Sequence, residues 1–465
     1  MSEGNCRGIW GRVAGRGEPR NELASQLIRE LDQGLEVLDG LEAAVTFFGG
    51  ARIERDDPYY AYAEKMGELL ADHDIPPRTG AGPGIMWAVP EGFRKQLNGS
   101  TSAGDRPSER KRREGPQPLT QGFNIVLPFE QTINPAIDVS MELNHFPTRK
   151  LMLYRNALGL VIFPGGFGTL DELLEVWRLK AAGELDFPVV LFGKEYWKPL
   201  EDALVVAHQE YPHLALGEDC FDLISCTDDP KEAIDRVTLE DACRESEEPL
   251  GQMGHRMARE LVEGLNFLES LEPAVTVLGG SRLRKNDQVV DFAEELAFEL
   301  ANAGVPTRAA GPGQLSVALA RGGHRGRVHF PQQAFGVRRP DARNLYGADR
   351  VHLVADRLTH KVLLTENSRA LVALPGGLGT LDELFSMLCQ IQTRTISARK
   401  VVLMGTDFWQ PIMDGIKAVM LDGPRQTISP EDLDLVTLTD DPAEAARIAL
   451  APVETPAAKT GRGAG

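Results

Sequence analysis

At 465 residues the chain is long for one domain, and its 42% hydrophobic and 25% charged composition suits a globular protein with more than one core. A formal charge of −18, from 68 acidic against 50 basic residues, disfavours nucleic acid and anionic membrane as partners, although local backbone dipoles can still hold a small phosphate. Its apolar runs are too short to span a bilayer, and Arg7, Arg12, Arg16 and Arg20 interrupt any leader-like core. Cys6, Cys220, Cys226, Cys243 and Cys389 are odd in number and form no close C-x-x-C pair, the pattern of reduced thiols in a cytoplasmic protein.

In chain order, residues 1–20 read as a flexible lead. VTFFG at 45–49 predicts a strand, and Tyr59, Tyr62, Met66, Leu69 and Leu70 predict a helix over 58–72. Residues 96–118, rich in Gly, Ser, Pro and charge, read as a solvated loop. Thr148, Arg149 and Lys150 fall on a helical segment ending near Asn156. GLVIFPGG at 159–166 is a buried strand ending in glycines, a helix follows it, and PVVLFG at 188–193 is another strand. Then the chain repeats. LEAAVTFFGGARI at 41–53 returns at 271–283, AGPG at 81–84 returns at 310–313, and PGGFGTLDEL at 164–173 returns at 375–384. The expected organisation is a module over 21–235, a charged linker at 236–250, a second module over 251–449 and a disordered tail at 450–465. Apolar strands alternating with helices predict the α/β class: two tandem Rossmann-like modules, each a parallel sheet with helices on both faces.

Three glycine turns follow strands in the first copy: Gly49-Gly50-Ala51-Arg52, Gly80 to Gly84, and Pro164-Gly165-Gly166-Phe167-Gly168-Thr169. Glycines let backbone amides approach a ligand, and a helix start adds unpaired N–H groups and a positive dipole end. Each turn is equally readable as a tight connection. Glu172 fits either a capping box with Thr169 or a site carboxylate beside the turn. Arg149 can bind phosphate, orient Glu172, or belong to a solvated basic pair. No P-loop, G-x-S-x-G elbow, H-E-x-x-H or Cys/His cluster is present in the sequence, so neither metal nor organic cofactor is expected.

Arg149-Lys150 followed by Pro164-Gly165-Gly166-x-Gly168-Thr169-x-x-Glu172 resembles the signature of the Lonely Guy (LOG) family, nucleotide phosphoribohydrolases that also carry a historical lysine decarboxylase label. Leu127-Pro128-Phe129-Glu130-Gln131, with Asn134, is similar to the longer bacterial nucleotide nucleosidases of that superfamily. The resemblance implies hydrolysis of a nucleoside 5′-monophosphate to free base and ribose 5-phosphate, with Arg149 and Glu172 catalytic. It also implies Gly49, Gly50, Gly82, Gly84, Glu130, Lys150, Gly165, Gly166, Gly168 and Thr169 as substrate contacts. The counterparts in the second copy are His360, Lys361, Gly376, Gly377, Gly379, Thr380 and Glu383. Histidine lacks the planar fork of arginine, so that copy is expected to have lost most catalysis and to serve as a pseudo-subunit or regulatory nucleotide site. Family members are typically dimers, which implies an intramolecular pseudo-dimer here and leaves a further homo-oligomer open. The alternative reading is a non-catalytic nucleotide- or molybdenum-cofactor-binding protein, whereas nothing in the sequence identifies a lysine placed for decarboxylase chemistry.

Overall fold

The computed structural model describes residues 21–99, 118–128, 133–209, 211–214, 216, 218–238, 250–338 and 347–453. The expected lead lies outside these residues, as do most of the linker and tail. The first sheet is built from β1 (Ala44–Phe48), β2 (Pro77–Thr79), β3 (Gln121–Ile125), β4 (Val139–Leu143), β5 (Ala157–Ile162), β6 (Val189–Phe192) and β7 (Ser225–Thr227). Its order is β4-β3-β2-β1-β5-β6-β7, with every pairing parallel. The second sheet contains β8 (Ala274–Leu278), β9 (Thr307–Ala310), β10 (Gln333–Val337), β11 (Arg350–Val354), β12 (Ser368–Ala373), β13 (Lys400–Met404) and β14 (Val436–Thr439). It repeats that order as β11-β10-β9-β8-β12-β13-β14, again all parallel. The protein is therefore two tandem Rossmann-like α/β modules.

The central strands are buried throughout because helices cover both faces: all five residues of β1 and all five of β8 are buried, and the one polar residue in each, Thr46 and Thr276, donates its hydroxyl to Leu153 O and Leu364 O respectively. Strand order reverses between β1 and β5, so the loops leaving these neighbours part and open a crevice at their carboxyl ends. The predicted helix over 58–72 is present as Pro58–Asp72, capped by Asp57 with proline at its first turn. The predicted loop at 96–118 begins later than expected, because helix Ile85–Gly99 runs through its first residues. Residues 100–117 lie outside the described residues.

The modules pack on each other through paired helices: Phe167–Ala181 against Leu378–Gln392, Lys194–Gln209 against Thr406–Ile416, and Glu22–Asp39 against Leu250–Glu269. One hydrophobic cluster runs through both modules, and Phe167 meets Phe385 edge to face at 5.8 Å between ring centres. Each large apolar side chain so buried contributes about 1.5–3 kcal/mol. Inside this contact lies a buried ion cluster. Lys150 Nζ donates to Asp171 at 2.5 Å and to Glu175 at 2.8 Å, while Lys361 Nζ donates to Asp382 at 2.5 Å and to the same Glu175 oxygen at 2.8 Å. Glu175 thus bridges a lysine from each module, and the repeat places Ser386 at its counterpart.

Candidate active site

Arg149 is carried by helix Phe146–Tyr154, which starts after His145 with a proline in its first turn. Its C-terminal carbonyls would be orphaned in the core without a donor. Arg78, fully buried on β2, supplies one: Nη1 donates to Met152 O at 3.3 Å and to Arg155 O, and Nε donates to Gln121 Oε1 at 2.9 Å. Burial pulls its guanidinium down to about 9. Arg308 does the same for helix Arg357–Thr365 in the second module, and burial pulls it down to about 9 too.

Arg149 turns inward from its helix. Its Nε donates to Phe123 O at 3.0 Å, Nη1 lies 3.3 Å from Glu172 Oε1, and the guanidinium stands 6.0 Å from the Phe146 ring centre. Gly80 makes this approach possible, because a side chain there would collide with Arg149 Nη2. Glu172 projects from the first turns of helix Phe167–Ala181. The capping-box reading is not realised: Gly166 is the N-cap, without a side-chain cap bond, and the carboxylate faces Arg149 instead. Both side chains are buried, with only 8% and 9% exposed. Burial raises the Glu172 pKa from 4.5 to about 7, with Arg149 and Lys150 opposing the rise. A carboxyl poised near neutrality beside a fixed guanidinium suits proton transfer or the stabilisation of a nearby cation.

The three glycine turns meet beside this pair. Gly50 N donates to Pro164 O at 2.8 Å and Ile85 N donates to Gly50 O at 3.3 Å, so the loops leaving β1, β2 and β5 are stitched together through Gly49-Gly50, Gly82-x-Gly84 and Gly165-Gly166. The Gly50 amide is therefore occupied within the floor of the crevice. Tyr196 Oη donates to Gly165 O at 2.5 Å and stands 3.2 Å from Thr427 Oγ1 of the second module. That module closes over the turn: a side chain on Gly166 would meet Thr427 O at 2.6 Å, and one on Gly168 would sit 3.8 Å from Cys389 Sγ. The Thr169 side chain lies against Gly165. Lys150, expected as a substrate contact, instead points its ammonium into the intermodule ion cluster. Asn134 staples its own loop, donating to Trp87 O at 3.1 Å and accepting from Ala136 N at 2.8 Å. Glu130 lies outside the described residues.

In the second module, Gly377 is the N-cap of helix Leu378–Gln392, and Gly376, Gly379 and Thr380 form the matching turn. Lys361 joins the ion cluster, as Lys150 does. His360 is 3% exposed, with Nδ1 3.5 Å from Glu383 Oε1, and Nε2 has no hydrogen-bond partner among the described residues. The arginine partner of Glu383 comes from the other module. Arg178 Nη1 lies 3.2 Å from Glu383 Oε1 and 2.7 Å from Asp382 Oδ2. Burial opposes ionisation of Glu383, but Arg178 and His360 outweigh it and hold the pKa below its ordinary value. Arg178 and Cys389 occupy equivalent positions on the two crossing helices, 211 residues apart in the repeat, so each module receives a different residue from its neighbour. Spacing within one copy gives no sign of such an exchange; only the helix crossing reveals it.

Residues 107–237 and 325–449, together over half of the chain, match the family model described as "Possible lysine decarboxylase". The pyrimidine/purine nucleotide 5′-monophosphate nucleosidase of Escherichia coli strain K12 is 28% identical over 173 residues, which are 35% of this chain and 34% of that protein. The cytokinin riboside 5′-monophosphate phosphoribohydrolase of Rhodococcoides fascians is 30% identical over 78 residues, 17% of this chain and 39% of that protein. The chain thus spans little more than a third of the length of the curated relatives it matches. Among solved structures, the molybdenum cofactor binding protein of Rippkaea orientalis has 16% identity and a TM-score of 0.29, over 42% of this chain and 94% of that one. With its family match in both copies and the Arg-Lys, Pro-Gly-Gly-x-Gly-Thr and Glu signature in the first, the chain belongs to the lysine decarboxylase-like family, also called LOG.

Proposed function

We propose that the first module hydrolyses the N-glycosidic bond of a nucleoside 5′-monophosphate, releasing the free base and ribose 5-phosphate. The observation that carries this reading is the buried Arg149–Glu172 pair, 3.3 Å apart beside the joined glycine turns. The names of the E. coli and R. fascians relatives support the same reaction class.

In the proposed reaction the 5′-phosphate sits at the start of helix Phe167–Ala181, where first-turn amides and the helix dipole favour an anion. The C1′–N bond breaks with its electron pair leaving on the base, which takes up a proton from solvent, and positive charge develops on the ribose as in glycoside hydrolysis. The ionised Glu172 stabilises that charge and accepts a proton from the water that adds to C1′. Arg149 holds the carboxylate in place. The phosphate anchor, remote from the bond that breaks, positions the sugar. Lys150, held in the intermodule ion cluster, favours the ionised form of Glu172. Neither a metal nor an organic cofactor enters this scheme.

The test is to incubate the purified full chain with AMP, GMP, CMP and UMP and to quantify free base and ribose 5-phosphate chromatographically. The reading predicts equimolar release of both products from at least one nucleotide. Intact nucleotide throughout would overturn it in favour of binding without hydrolysis.

A further inference from the structure

The second module's glycine turn opens onto a cavity of about 780 Å³, within the range of small-ligand sites. Its wall is shared between the modules. The second module contributes the turn, His360 and Glu383, while the first contributes Arg178, Glu184 and the segment around Leu214. Four arginines, Arg178, Arg282, Arg338 and Arg357, line it against two glutamates, Glu184 and Glu383. In a chain of formal charge −18 this is a local reversal of sign.

The arginines are held in place largely by other residues of the same wall. Arg357 pairs with Glu184, with Nε at 2.9 Å and Nη2 at 2.6 Å from Oε1. Arg282 Nη2 donates to Leu214 O at 3.0 Å. Arg178 is fixed by Asp382 and Glu383, which engage Nη1. At the floor, the 15-residue helix Leu378–Gln392 presents its first-turn amides beyond Gly377. His360 adds an independent sign of a ligand: almost wholly buried, it lines the cavity with a ring nitrogen lacking any hydrogen-bond partner among the described residues. Buried polar atoms of this kind are rare without a partner to meet.

We propose that this cavity is a second ligand site, one that binds a phosphomonoester of nucleoside-monophosphate size, with Arg178 reaching across from the first module to supply the guanidinium that His360 replaces. The phosphate lies over the amides of the Gly377–Thr380 turn, near Arg178, and the remaining arginines flank the rest of the molecule. The first module lacks this arrangement, because Cys389 stands at the position equivalent to Arg178.

The experiment uses AMP as probe and the full chain carrying Glu172→Gln, which prevents consumption of AMP; should the wild-type chain prove unable to release base, the wild-type chain itself is used. Bound AMP per chain is counted by equilibrium dialysis, alone and with added Arg178→Gln or Gly379→Asp. A side chain at Gly379 has room, with Arg178 at an ordinary 3.5 Å, and aspartate there sets a negative charge where the phosphate would lie. The expected result is that Gly379→Asp removes about one AMP per chain, and that Arg178→Gln weakens the same site at least tenfold. Inorganic phosphate should displace this AMP. Unchanged stoichiometry and affinity in the Gly379→Asp protein would overturn the proposal, even if Arg178→Gln disturbs folding.

Discussion

Two glutamates at equivalent positions of one repeat behave differently: burial outweighs Arg149 at Glu172, whereas Arg178 and His360 together outweigh it at Glu383. Glu172 meets Arg149 from its own module, at 3.3 Å, and burial raises its pKa to about 7. Glu383 meets Arg178 from the neighbouring module, at 3.2 Å, and stays ionised below its ordinary range. Folding lifts the Glu172 pKa above 4.5, so the folded chain holds this proton more tightly than the unfolded one. The stability contributed by this group is therefore complete below about pH 4.5 and is lost as pH rises through 7. Catalysis should run the other way, since the proposed role needs the carboxylate. Base release measured across pH 5–9 is expected to climb through about pH 7 and level off above it; a profile flat across that window would count against Glu172 as the ionised group.

At the scale of elements, helix Phe146–Tyr154 and the turn after β2 act together. Arg149 reaches Phe123 O and Glu172 only because Gly80 leaves room for its guanidinium. Gly80→Ala is accordingly expected to lower kcat by about a hundredfold through misplacement of that guanidinium, with circular dichroism unchanged. Retention of full activity would show that the placement of Arg149 does not matter. The second copy carries the complementary change. Between Arg308 and Gly311 it has Ala309-Ala310, where the first copy has Thr79-Gly80-Ala81 between Arg78 and Gly82, and His360 replaces Arg149. The space and the arginine are missing together.

Much of this level was legible in the sequence. Continuous apolar runs ending in glycines gave the parallel strands, and helical periodicity with Asp57-Pro58 gave the helix over 58–72. The repeat gave the second sheet. The pairing of Arg149 with Glu172 could be proposed only through resemblance, because they lie on different helices with strand β5 between them. The sequence was silent on Arg78, since nothing in a strand's pattern says that its arginine will cap a helix 70 residues later. Of the two readings left open for Glu172, the capping box is not taken up for a physical reason: the helix begins nearer to Gly166, and the carboxylate faces a charged partner.

Across the whole molecule, the modules are joined by a continuous apolar core and by the cluster of Lys150, Lys361, Asp171, Glu175 and Asp382. Among the described residues Asp171, Glu175 and Asp382 lie close enough to suggest a metal cage, but two ammonium groups already sit among them. Removing one charge from such a buried cluster leaves its partners uncompensated. Lys361→Met should therefore cost about 3–5 kcal/mol in denaturant unfolding. Loss below about 1 kcal/mol would mean that the cluster behaves like a surface pair. No helix among the described residues is long and apolar enough to cross a membrane.

The division of labour between the copies is tested most directly by measuring adenine release from AMP by the wild-type, Glu172→Gln and Glu383→Gln chains under identical conditions. Turnover is expected to vanish in Glu172→Gln and to persist in Glu383→Gln. Equal loss from both substitutions, or release that survives Glu172→Gln, would contradict the assignment of hydrolysis to the first module.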